Sequence, residues 1–132
     1  MGAWGAGAFD NDDALDWVAD LEESEGMSAL EDALDAIFHD DSEYVEAPEC
    51  SMAVAAAEVI AALARRPSTD LPDGVRAWVR GKAIPDEKLR QRAREAITRI
   101  LQSSELQELW AESPDAAAWT ASLQNLQERL SD

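Results

Sequence analysis

Residues 52–64 read MAVAAAEVIAALA, and Glu58 is the only charged residue among them. Extended back to Pro48, the segment predicts a helix that is apolar around nearly its whole circumference. Such a helix belongs in the middle of a fold, with neighbours on every side. It is too short to span a bilayer. Arg65 and Arg66 follow it, at the end of a helix where cations are favoured. Glu58 is the exception inside the run. A buried carboxylate without a partner is costly, so it must find a cation, reach solvent or take up a proton. Arg76, Arg80 and His39 are the expected partners.

Moving outward, the flanking segments supply a helical shell. Residues 10–23 read as a helix with Leu15, Val18 and Leu21 near one face, Trp17 beside it, and Asp13, Asp16 and Asp20 on another. Ser28-Ala-Leu-Glu31 has the pattern of a capping box. Leu30, Ala33, Leu34, Ile37 and Phe38 then keep helical spacing, and residues 40–47 read as a connection. Leu71-Pro72 opens a short helix through Val75, Trp78 and Val79, which Gly81 stops. Pro85 suits a first helical turn, ahead of a stripe of Leu89, Ala93, Ala96, Ile97, Ile100 and Leu101. Ser104 to Gln107 forms a second capping box before Leu106, Leu109 and Trp110. Ser113 and Pro114 suit the N-cap and first position of a last helix lined by Ala116, Trp119, Leu123, Leu126 and Leu130. No stretch alternates with the period of a strand. The expected fold is all-α, a compact bundle of about seven helices in a single domain over residues 1–132. A glycine-rich N-terminal tail is expected to pack on its core.

Charge is distributed unevenly. The chain has 132 residues and a formal net charge of −17. Of its 28 acids, 17 lie between Asp10 and Glu58, and no Lys or Arg precedes Arg65. The 11 basic residues are matched by the remaining acids in residues 65–132. A field of this sign repels phosphate backbones and anionic membranes and attracts basic surfaces. Direct nucleic-acid or membrane binding is therefore not expected. The single cysteine, Cys50, rules out an intrachain disulfide and fits a reducing compartment. No basic run followed by an apolar stretch opens the sequence, and a cytoplasmic location is expected.

The opening stretch MGAWGAGAFDNDDALDW, residues 1–17, invites two motif readings, and both fail. A dinucleotide loop needs a preceding strand and a helix start free of negative charge; here acids crowd that start. A calcium loop counted from Asp10 needs a ligand at its fifth place and glycine at its sixth, where Ala14 and Leu15 stand. The glycines Gly2, Gly5 and Gly7 instead permit close backbone approach, with Trp4 and Phe9 as apolar anchors and an Asp or Asn capping the first helix. Paired carboxylates at helical spacing, Asp13/Asp16 and Glu46/Glu49, together with Glu58, are the candidate ligands of an Mg²⁺ or Mn²⁺ ion in a divalent-metal-dependent hydrolase. His39 is the lone histidine, so a multi-histidine zinc centre is not expected.

The same opening resembles the start of a bacterial family catalogued as domain of unknown function 4259. Its members begin with a Trp-Gly-x-Gly-x-Phe-x-Asn-Asp-like signature. The middle, EAPECSMAVAAAEVIAAL, and the end, SELQELWAESPDAAAWTASLQNLQERL, are similar to it as well. The resemblance marks Trp4, Gly5, Gly7, Phe9, Asn11, Asp12 and Trp17 as signature residues and carries no catalytic assignment.

The functional expectation is a non-enzymatic acidic binding protein for a basic protein partner, in the manner of an immunity protein, inhibitor or nucleic-acid mimic. Asp12, Asp13, Asp16, Asp20, Glu46 and Glu49 are its candidate acidic face, and no cofactor is expected. The competing readings are the metal-dependent hydrolase and a structural domain without chemistry.

Overall fold

The structure is a computed structural model that describes residues 7–24, 27–38, 45–69, 71–102 and 104–131. Seven helices account for most of them: α1 (Asp12–Glu22), α2 (Ser28–Phe38), α3 (Ala47–Leu63), α4 (Asp73–Val79), α5 (Glu87–Gln102), α6 (Glu105–Ala111) and α7 (Ala116–Leu130). No strand occurs among the described residues. The all-α expectation holds. Trp4 and Gly5, with the rest of the expected tail before Gly7, and His39 lie outside the described residues.

The all-round apolar run becomes the axle of the fold. From Cys50 to Leu63 every residue of α3 except Met52 is buried, and α3 packs against each of the other six helices. Its alanines make this possible: a helix with small side chains lets neighbours approach closely on several sides at once. The buried side chains of all seven helices join in one apolar cluster. The four described tryptophans, Trp17, Trp78, Trp110 and Trp119, all belong to it. Trp110 and Trp119 stack with ring centroids 6.3 Å apart, which locks α6 to α7.

The helix ends are fixed locally. Asn11 caps α1, its Oδ1 accepting from the Ala14 amide at 2.8 Å. Ser104 caps α6, its Oγ accepting from the Gln107 amide at 3.0 Å. The C-terminus of α3 closes in a Schellman motif: the Arg66 amide donates to Ala61 and the Arg65 amide to Ala62. Arg65 takes the left-handed position, φ 70°, that glycine usually fills. Its guanidinium turns back to the Leu63 carbonyl at 2.9 Å. Gly81 ends the α4 turn with φ 75°.

Four expectations need correction. The buried face of α1 is Ala14, Trp17, Val18 and Leu21, whereas Leu15 is 39% exposed. Burying the large indole of Trp17 rotates the stripe away from Leu15. Ser28 lies inside the first turn of α2, because the Leu30 and Glu31 amides donate to the Met27 carbonyl. Pro85 precedes α5 rather than opening it, and Asp86 Oδ1 accepts from the Leu89 amide at 2.8 Å as the cap. Ser113 and Pro114 form a turn ahead of α7, with Ser113 Oγ accepting from the Asp115 amide.

Candidate functional site

The outer face of α1 is the first candidate surface. Ala14, Trp17, Val18 and Leu21 point inward, which by helical geometry sends the intervening carboxylates outward. Asp12, Asp13, Asp16 and Asp20 are all exposed, as are Glu22 and Glu23 at the end of the helix. Among the described residues none of these six has a Lys or Arg within ion-pair distance. Asp12 and Asp13 sit in the first turn, where negative charge is favoured by the helix dipole. The face is thus compatible with a stable helix although it concentrates like charge.

The later arginines are engaged elsewhere. Arg66 donates to the carbonyls of Glu128 at 2.9 Å and Ser131 at 2.7 Å. Arg94 donates to the Leu130 carbonyl at 2.7 Å. Between them they reach the Glu128 and Leu130 carbonyls in the last turn of α7, where intrahelical partners run out, and the Ser131 carbonyl just beyond it. Arg76 donates to the carbonyls of Leu71 and Thr69. Arg92 meets Asp35 at 2.7 Å and lies over the Phe38 ring, joining α5 to α2.

Glu58 is 3% exposed, and among the described residues its partner is Arg129 rather than Arg76 or Arg80; the expected alternative His39 lies outside the described residues. Arg129 Nη1 donates to Glu58 Oε1 at 2.6 Å and Nη2 to Oε2 at 2.9 Å, a bidentate fork. Arg129 Nε donates to Asn125 Oδ1 at 2.7 Å, which fixes the plane of the guanidinium. Arg129 escapes notice in the sequence because its partner is 71 positions away. One signal was present: it stands between Leu126 and Leu130 of the inner stripe, at the edge of the buried face.

The pair lines a cleft of about 340 Å³. Ala118, Ala121, Ser122 and Asn125 of α7 form one wall and the turn from Gly7 to Asp10 forms the other. That turn is built by Asp10, whose Oδ2 accepts from the Gly7 amide at 3.1 Å while its own amide donates to the Gly7 carbonyl. A Cβ on Gly7 would sit 2.7 Å from Asp10 Oδ2, so a side chain there would have to shift the carboxylate that accepts from the Gly7 amide. Phe9 of the same turn is buried, as is Trp17. The described signature residues thus form the turn (Gly7, Phe9), cap α1 (Asn11), open its first turn in solvent (Asp12) and anchor it (Trp17).

Glu46 and Glu49 lie at the start of α3, Glu46 exposed at the N-cap and Glu49 half-buried. Glu49 Oε2 is buried and has no hydrogen-bond partner among the described residues. Nearby, Glu105 Oε1 accepts from the Ala47 amide at 2.8 Å and the Glu105 amide donates to the Val45 carbonyl at 2.9 Å, clasping the starts of α3 and α6. Cys50 is enclosed at this junction. Burial pushes its thiol up to about 11, so it is protonated and unreactive at neutral pH. Among the described residues no three His, Cys, Asp or Glu side chains stand close enough to share a metal ion. Asp13, Asp16, Glu46, Glu49 and Glu58 therefore do not converge on one ion there. No helix among the described residues is long and apolar enough to cross a membrane.

The model of the family described as Domain of unknown function (DUF4259) matches residues 2–122. The match takes in most of the sequence, and the chain belongs to that family. No curated protein and no solved structure matches it.

Proposed function

Membership of a family without an assigned activity leaves the function to be read from the chain's own surface, and we propose that the protein is a non-enzymatic, cytoplasmic binding protein for a basic protein partner. The carrying observation is the outer face of α1: exposed carboxylates with no described cation in ion-pair reach, while arginines of the second half hold carbonyls and other carboxylates. Such a surface steers a cationic partner and speeds encounter at low salt. Immunity proteins, inhibitors and nucleic-acid mimics use this chemistry, in which side-chain carboxylates stand in for a phosphate path.

The test compares wild type with the combined variant Asp12→Asn, Asp13→Asn, Asp16→Asn and Asp20→Asn, each immobilised in native lysate. The expected result is capture of a basic protein by wild type, release by added salt, and no retention by the variant. Capture that resists salt and survives the four substitutions contradicts the reading.

A further inference from the structure

Resting on that reading, we infer that the cleft between the Gly7–Asp10 turn and α7 seats one cationic side chain, lysine or arginine, of the basic partner. The charges lining the cleft decide its sign. Glu58 and Arg129 cancel one another across a bidentate contact of 2.6 and 2.9 Å. Among the described lining residues, Asp10 then remains as one negative charge without a cation beside it. Its Oδ2 accepts from the Gly7 amide, and its Oδ1 has no partner among the described residues. One incoming cation brings the charge of the described lining to zero.

Among the described lining residues, Arg129 is the one cation that could seat an anion, and it is already engaged. The Nη1 and Nη2 groups of Arg129 are turned onto Glu58, and its Nε is held by Asn125, so no guanidinium fork is open to a phosphate or carboxylate. The apolar part of the lining fits the other half of a lysine or arginine. Ala8, Ala118 and Ala121 are small and leave room for an aliphatic stem, which such side chains pack against apolar walls while the charged head finds its polar partner. A volume of about 340 Å³ lies at the lower end of the range for ligand pockets, suited to a single side chain. Asp10 also leads directly into Asp12 and Asp13 of α1, so a partner resting on the acidic face lies beside the cleft.

The experiment is an amide chemical-shift titration of the full chain with N-acetyl-arginine amide, N-acetyl-lysine amide and inorganic phosphate as separate probes. Saturable shifts at residues 7–10 and 122–125 are expected with one or both cations. Asp10→Asn keeps the acceptor for the Gly7 amide but removes the charge, and should weaken binding about tenfold. Ala121→Phe, at an exposed position of α7, fills the cleft and should abolish the shifts. Shifts produced by phosphate instead, or by neither cation, overturn the inference, as do shifts that persist in Ala121→Phe. Cleft binding without any lysate capture supports the cleft and removes the acidic-face reading. Capture that persists through Asp10→Asn and Ala121→Phe but is lost in the four-Asp variant overturns the cleft alone.

Discussion

The outer face of α1 and the C-terminal end of α7 are both rich in charge, yet they place it oppositely. On α1, Asp12, Asp13, Asp16 and Asp20 stand in solvent with no described cation beside them. Around α7, Arg66 and Arg94 hold the terminal carbonyls and Arg129 reaches inward to Glu58. These arginines around α7 are structural and locally satisfied, whereas the carboxylates on α1 are available to another molecule. An equal count of acids and bases in the second half of the sequence therefore does not neutralise the first half, because many of those bases are directed at backbone oxygens.

This contrast predicts where substitutions matter for folding. The largest effect is expected at Glu58. Glu58→Ala leaves Arg129 enclosed without its carboxylate and should cost about 3–5 kcal/mol in denaturant unfolding. The pair replaced together, Glu58→Leu with Arg129→Met, should recover most of that loss. A single-variant cost near zero would mean that the pair is solvated, and the contrast with α1 would fail.

Next in size is a pH effect at the start of α3. The Cys50 thiol is pushed up to about 11 by burial, above its value in the unfolded chain. The unfolded state therefore loses this proton first as pH rises. Stability should be intact below about pH 9 and fall by about 2 kcal/mol as pH climbs through 11. That increment should vanish in Cys50→Ala. A wild type and variant with parallel pH profiles would show that the thiol is not enclosed.

A smaller loss, about 1 kcal/mol, is expected for Arg66→Ala, which removes side-chain donors from the Glu128 and Ser131 carbonyls at an exposed site. The smallest effect belongs to α1. Removing four charges there by Asp→Asn relieves mutual repulsion but weakens the dipole contribution of Asp12 and Asp13, and the net change in stability should stay within about 1 kcal/mol. Equal losses for Arg66→Ala and the α1 variant, both large, would erase the distinction between structural and available charge.

The sequence made the centre of the fold readable because burial on every side of α3 leaves an unmistakable composition. It also made the caps Asn11 and Ser104 readable, since each acts on an amide three positions away. The exposed acids of α1 followed from helical spacing, although the buried stripe runs through Ala14 and Trp17 rather than Leu15. The partner of Glu58 was not readable. It depends on how α7 lies across α3, and three closer candidates, Arg76, Arg80 and His39, satisfied the same chemical requirement. The cleft was hidden for the same reason: its walls come from opposite ends of the chain and meet only after α7 has packed.

The most direct test of the contrast measures the electrostatic potential near individual amide protons, using paired cationic and anionic nitroxide probes of equal size. The predicted result is a strongly negative potential over residues 12–20 and a much weaker one over residues 126–131. Equal potentials over the two segments would contradict it and remove the basis for a cationic partner.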